Sequence, residues 1–117
     1  MSSEGPIDVT PAAVLVAVSE RFDLPVGAIV GKGRLHTVAL ARHVAMWFCR
    51  CRLVRSSSYP ELGRAFGGRD HTTVMSAVAK VARLVAEDDP EVLLHVVAVE
   101  RLLRPGVRFR IADVGSP

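Results

Sequence analysis

Apolar residues recur at every third or fourth position along most of this chain, which is the spacing of the buried face of an α-helix. The segments that show this spacing are 10–23, 35–54, 58–66, 71–86 and 89–104, and residues 24–29 suit a turn or a single-turn helix. Residues 107–111 alternate apolar and basic side chains like a strand, but one isolated strand is not stable by itself. The pattern predicts an all-α fold of about five to six helices.

Local signals in the middle of the chain predict a short helix, a glycine turn and the start of a longer helix. Ser58 and Glu61 have the spacing of a capping box, and Pro60 stands in the first turn, where a missing N–H costs nothing. Two consecutive glycines, Gly67 and Gly68, end the short helix, because a chain that leaves a helix commonly needs a left-handed residue.

Polar side chains occupy the first turn of the longer helix. Asp70 can cap it, because a carboxylate accepts hydrogen bonds from the free N–H groups at the positive end of the helix dipole. His71, Thr72 and Thr73 then lie in the exposed first turn. Short polar residues at the tip of the second helix of a helix-turn-helix are suited to reading base edges in the major groove.

The run that carries these features, residues 62–74 (LGRAFGGRDHTTV), resembles the signature of the C-terminal DNA-binding domain of the bacterial replication initiator DnaA. The similarity extends from about Val9 to about Leu103. It implies a Trp-repressor-like helix-turn-helix bundle that binds double-stranded DNA at a short, A·T-rich, non-palindromic box. Because the box is non-palindromic, a monomer is the default expectation, with pairing through the last helix as the alternative.

The resemblance also implies which side chains contact DNA. In the major groove they are Pro60, Asp70, His71, Thr72 and Thr73, and in the minor groove Arg34, which lies in the glycine-containing basic loop 31–34. The expected phosphate contacts are Lys32, His36, Arg42, His43, Arg69, Ser76 and Lys80. Arg69 has an alternative role in holding the turn, and loop 31–34 taken alone reads as a solvated connector.

The composition and net charge are compatible with a DNA-binding domain. A chain of 117 residues is long enough for one domain, which we place at residues 10–104. The net charge of +3 permits a nucleic acid partner. Trp47 and Phe48 widen the apolar face of segment 35–54, so they are expected in the core and not as platforms for base stacking. With no apolar run that could span a bilayer and no signal peptide, we expect a cytoplasmic, nucleoid-associated protein.

No pattern in the chain points to catalysis, a cofactor or a metal. The chain has no phosphate-binding Gly-x-x-x-x-Gly-Lys-Ser/Thr motif, so we expect DNA binding without ATPase activity. Cys49 and Cys51 point about 200° apart on a helix, which prevents a disulfide. Two thiols without a nearby cluster of His or Cys make a poor zinc site, so both are expected to be small, half-buried residues.

The ends of the chain and its last helix leave alternatives open. Residues 1–9 are expected to be flexible, and residues 105–117 to form an extended or disordered tail. The last helix is rich in apolar residues, which favours an alternative function. In that alternative, the domain has lost its specificity for initiator boxes and serves as a transcriptional regulator or as a helical interaction module. The full-length replication initiator or another replication protein would be the partner of such a module.

Overall fold

The computed structural model describes residues 5–104, and six α-helices make up most of this part of the chain. They are α1 (Pro11–Phe22), α2 (Val26–Val30), α3 (His36–Trp47), α4 (Tyr59–Ala65), α5 (His71–Ala86) and α6 (Pro90–Leu103). A π-helical turn, Phe48–Arg52, continues α3. The prediction of an all-α fold with five to six helices is confirmed.

Four helices begin at a side chain that accepts a hydrogen bond from the first turn. These capping residues are Thr10, Ser58, Asp70 and Asp89. At α4 the capping box is reciprocal: the Glu61 N–H donates to Ser58 Oγ at 3.1 Å, and the Ser58 N–H donates to Glu61 Oε1 at 2.8 Å. Such caps satisfy N–H groups that have no partner inside the helix, so they locate helix starts independently of the tertiary fold.

Helix α3 lies at the centre of the bundle and packs against α1, α2 and α5. Its buried face and the π-helical turn supply a large part of the core, in which Phe48 is fully buried and Trp47 nearly so. Both aromatic residues are therefore core anchors, as predicted. Helix α5 also packs against α4, and α6 closes the bundle against α1.

Within the described residues 5–9, Ile7 anchors the chain to the end of the π-helical turn, although this segment was expected to be flexible. Ile7 is 3% exposed; its N–H donates to Arg52 O at 2.7 Å, and its carbonyl accepts from the Val54 N–H at 2.9 Å. This bridge explains why the helix ends at Arg52 and not at Val54. The two sides of this bridge are more than forty residues apart, so no local sequence pattern predicts it. The predicted tail, 105–117, lies outside the described residues.

Two side chains differ from their predicted burial. Both cysteines were expected to be half-buried, but Cys49 is buried and Cys51 is exposed. Burial raises the pKa of the Cys49 thiol to about 12. Within residues 5–104, no group of three or more His, Cys, Asp and Glu side chains is placed to hold a metal ion. Each helix of this described part is also too short or too polar to cross a membrane.

Candidate nucleic-acid interface

The corner between α4 and α5 depends on glycines. The Arg69 N–H donates to Gly63 O at 2.8 Å, and a Cβ on Gly63 would lie 2.2 Å from Arg69 O. Gly67 and Gly68 have φ angles of 84° and 74°, a conformation that residues with a side chain rarely adopt. These glycines let the backbone fold tightly against α4, which aims the N-terminus of α5 outward in the manner of a helix-turn-helix.

The tip of α5 presents polar side chains to solvent. Asp70 Oδ2 accepts from the Thr72 N–H at 3.2 Å, while Asp70 Oδ1 lies 3.8 Å from His71 Nδ1. The Asp70 and His71 side chains are 67% and 58% exposed, and Thr72 and Thr73 are also on the surface. Pro60, in the first turn of α4, is exposed as well. All five residues predicted for the major groove are therefore accessible.

Further along α5, Ser76 and Lys80 are exposed at successive turns below Thr72. Lys80 also faces His43 of α3. The pKa of His43 lies below its usual value, chiefly because the ring is partly buried and then because Lys80, Arg42 and Arg69 repel a positive charge. The lowered pKa favours the uncharged form of the His43 ring, which can still form a hydrogen bond.

The basic loop, residues 31–35, joins α2 to α3 and exposes Lys32 and Arg34. Together with Gly33, Ala39, Arg42 and Arg69, these two residues line an open concavity of about 440 Å³. Among the described residues, its lining contains four cationic side chains and no carboxylate. Such a concavity has a strongly positive local potential, which suits a phosphate backbone.

Arg42, named above as an expected phosphate contact, is only 5% exposed. Its Nε donates to Ile29 O at 2.8 Å, and its Nη2 lies 3.4 Å from Ala28 O. The carbonyls that end a helix have no partner inside it, so the long Arg42 side chain folds inward to satisfy those of α2. Its surroundings lower the pKa of Arg42, first through burial and then through repulsion from Arg69.

Arg69 holds the turn, which is the alternative role named for it above. Its Nη1 donates to Phe66 O at the end of α4 and lies 3.4 Å from Val30 O, and its Nη2 donates to Gly31 O at 2.7 Å. One guanidinium thus joins the helix-turn-helix corner to the start of the basic loop. These carbonyl partners cannot be predicted from the sequence, because every residue has a backbone carbonyl.

His36, for which a phosphate contact is expected, faces the start of α6. Its Nε2 lies 3.0 Å from Glu91 Oε2, and its side chain is 74% exposed. The lining of the cationic concavity does not include His36. Four of the predicted site residues do line it, namely Lys32, Arg34, Arg42 and Arg69, and Asp70 to Thr73 follow Arg69 directly in the chain.

The bundle contains a helix-turn-helix with a glycine corner, and a polar helix tip lies beside a cationic loop. These features place the fold in the class of helix-turn-helix domains. Over residues 11–81 the chain matches the family described as the bacterial dnaA protein helix-turn-helix. The match covers more than half of the chain, and the protein belongs to this family.

Three relatives illustrate the similarity, and each is a chromosomal replication initiator protein DnaA. The one from Thermus thermophilus is 43% identical over 86 residues, 74% of this chain and 19% of the relative. The one from Corynebacterium jeikeium is 42% identical over 82 residues, 70% of this chain and 14% of the relative. The one from Dechloromonas aromatica is 44% identical over 80 residues, 68% of this chain and 17% of the relative. The chain therefore spans less than a fifth of each of these relatives.

Proposed function

We propose that this domain binds double-stranded DNA at an A·T-rich site similar to the box of the replication initiator. In this role it acts in replication initiation or its regulation, as a monomer in the cytoplasm and on the nucleoid, without ATPase activity. The observation that carries the proposal is the meeting of the exposed α5 tip and the basic loop at Arg69. This arrangement places the α5 tip, which can contact base edges, beside the cationic basic loop.

In the major groove, the α5 tip supplies groups that distinguish base pairs. The Asp70 carboxylate accepts from a cytosine amino group while it caps the helix, and His71 donates to or accepts from a neighbouring base. The Thr72 and Thr73 methyls contact thymine methyls, and their hydroxyls form hydrogen bonds. Pro60 adds an apolar contact to a thymine methyl from α4.

In the minor groove, Arg34 reads the narrow A·T-rich end of the site, where the negative potential is strongest. Lys32, Ser76 and Lys80 contact phosphates on either side of the two grooves. Arg42 and Arg69 lie beneath this surface and add positive charge to it. His43 is neutral and contributes a hydrogen bond, while His36 stays at the margin beside Glu91.

The first experiment is selection of bound sites from random duplexes at about 150 mM salt, because affinities depend steeply on salt. The selected duplex is then compared with a shuffled duplex of the same composition. Wild-type protein should prefer the selected site by at least about a thousandfold. Thr72→Ala should lose about tenfold on the selected site and little on the shuffled one, because one base contact is worth about 1–3 kcal/mol. Equal binding of both duplexes by the wild type refutes the proposal.

Exposed apolar side chains on α6 favour a second function, the binding of another protein. Leu94 is 66% exposed and Val97 is 47% exposed. A shallow groove on this face is lined by Arg21, Pro90, Leu93, Leu94, Val97, Ala98 and Arg101. The two arginines at the rim favour a partner helix that carries acidic residues beside an apolar stripe, because a second copy would bring arginine against arginine. We propose such a helix in the full-length initiator or another replication protein as the occupant.

The double substitution Leu94→Ser with Val97→Ser tests this second function. In titrations with the purified initiator of the same organism, the variant should bind at least about tenfold more weakly while its DNA affinity stays unchanged. The matched control is Val16→Ser, because Val16 is an exposed valine on α1 outside the groove. Unchanged initiator binding by the variant refutes the proposal, and so does concentration-dependent dimerisation of the wild type that the substitutions abolish.

A further inference from the structure

The carbonyls that end α2 are held by two guanidiniums from other parts of the fold. Arg42 of α3 bonds Ala28 O and Ile29 O, and Arg69 of the turn bonds Gly31 O and reaches Val30 O. Four consecutive carbonyls therefore end on arginine side chains. Within residues 5–104, neither arginine forms an ion pair with a carboxylate.

A helix as short as α2 needs such support. It has five residues, and a single turn is not stable without tertiary contacts. The basic loop begins directly at its end, so the position of the loop depends on whatever holds these carbonyls. Arg42 fixes them to α3, whereas Arg69 bonds them to the helix-turn-helix, because its Nη1 also donates to Phe66 O.

We propose that Arg69 is a positioning residue that sets Arg34 at a defined place relative to the tip of α5. This inference rests on the proposed function, because it concerns how one domain reads two grooves at once. The guanidinium supports this role through its planar fork, which bonds several carbonyls in fixed directions. A lysine has the same charge but offers a single ammonium, which cannot span Phe66 O and Gly31 O in the same geometry.

The role differs from the phosphate contact that the resemblance implied for Arg69. A phosphate contact adds affinity for every duplex alike, because the backbone carries no sequence information. A positioning residue acts through the basic loop, and because Arg34 is the loop residue that reads the minor groove, it affects the preference for an A·T-rich flank. The two roles therefore predict different outcomes for the same substitution, Arg69→Lys.

The test measures affinity for three duplexes at fixed salt. They are the selected site, the same site with its A·T-rich flank replaced by G·C pairs, and the same site with one base pair changed under the α5 tip. The flank ratio is the Kd for the G·C-flanked duplex divided by the Kd for the selected site. Wild-type protein should give a flank ratio of at least about 10, and Arg34→Ala a ratio near one.

Arg69→Lys should lower the flank ratio at least about fivefold while it leaves the penalty for the base change under the tip within about twofold. In the Arg69→Lys background, Arg34→Ala should then change affinity for the selected site less than about twofold, because a displaced Arg34 no longer makes the minor-groove contact that the substitution removes. The charge-matched control is Arg83→Lys in the last turn of α5, which should retain the wild-type ratio. Thermal melts establish that each variant is folded.

Three results overturn the inference. The first is an equal loss of affinity for all duplexes on Arg69→Lys, with the full effect of Arg34→Ala retained. The second uses a glycine inserted between Gly31 and Lys32, which leaves the arginine contacts intact and displaces the loop. Retention of the wild-type flank ratio by this variant overturns the inference even if Arg69→Lys fails to fold. The third is that the wild-type protein binds all duplexes equally, which refutes the proposed function as well. The first two results contradict only the role of Arg69 and are compatible with sequence-specific DNA binding.

Discussion

Replacing Gly63 by alanine places one methyl group against the backbone of the turn. The added Cβ would lie 2.2 Å from Arg69 O and 3.3 Å from the carbonyl carbon of the same residue. Real Cβ contacts are essentially never shorter than 3.0 Å, so α4 and the turn must separate by about 0.8 Å. The obstacle is backbone, so no side chain can rotate away to relieve it.

The expected cost follows from three opposing effects. Overpacking of this kind costs about 1–3 kcal/mol, and weakening the 2.8 Å bond from the Arg69 N–H to Gly63 O costs about 1 kcal/mol. Alanine regains about 1 kcal/mol because it favours a helix more than glycine does. We therefore expect Gly63→Ala to lower the free energy of unfolding by about 2 kcal/mol.

Urea denaturation followed by circular dichroism measures this change. The matched control is Gly27→Ala in α2, where an added Cβ meets no atom within 4 Å. That variant should keep or slightly increase the free energy of unfolding, because alanine reduces the entropy of the unfolded chain. A loss below about 0.5 kcal/mol for Gly63→Ala would refute the reasoning, since the methyl group would then have found room that the structure does not contain.

Three further predictions concern titration, salt and thiol reactivity. Burial lowers the pKa values of His43 and His95. The unfolded chain therefore binds more protons, so the free energy of unfolding should fall as the pH drops below about 6.5. His43→Gln should reduce the difference in this free energy between pH 7.5 and 5.5, as measured by urea titration. An equal difference in the wild type and the variant would contradict this prediction. Lys80→Ala should reduce the slope of log affinity against log salt by about 0.9 on every duplex, and an unchanged slope would exclude a phosphate contact. Iodoacetamide should modify exposed Cys51 in the native protein and spare buried Cys49, as mass spectrometry of peptides can check.

The sequence alone determined the helices, their starts and the polar tip of α5. A capping residue and the N–H group that it accepts from are at most three positions apart, as with Ser58 and Glu61 or Asp70 and Thr72. The left-handed turn likewise needs glycine at the position itself, which Gly67 and Gly68 show directly. The physical causes of these features lie within a few residues, so they can be read from the chain in order.

Tertiary structure alone decided what the arginines and the N-terminal segment do. Arg42 and Arg69 bond carbonyls up to 39 positions away, and Ile7 pairs with the chain around Leu53. A backbone carbonyl is the same group at every residue, so the sequence cannot reveal which one a guanidinium will reach. That choice depends on how the helices pack, and here it decides how the basic loop lies beside the helix-turn-helix.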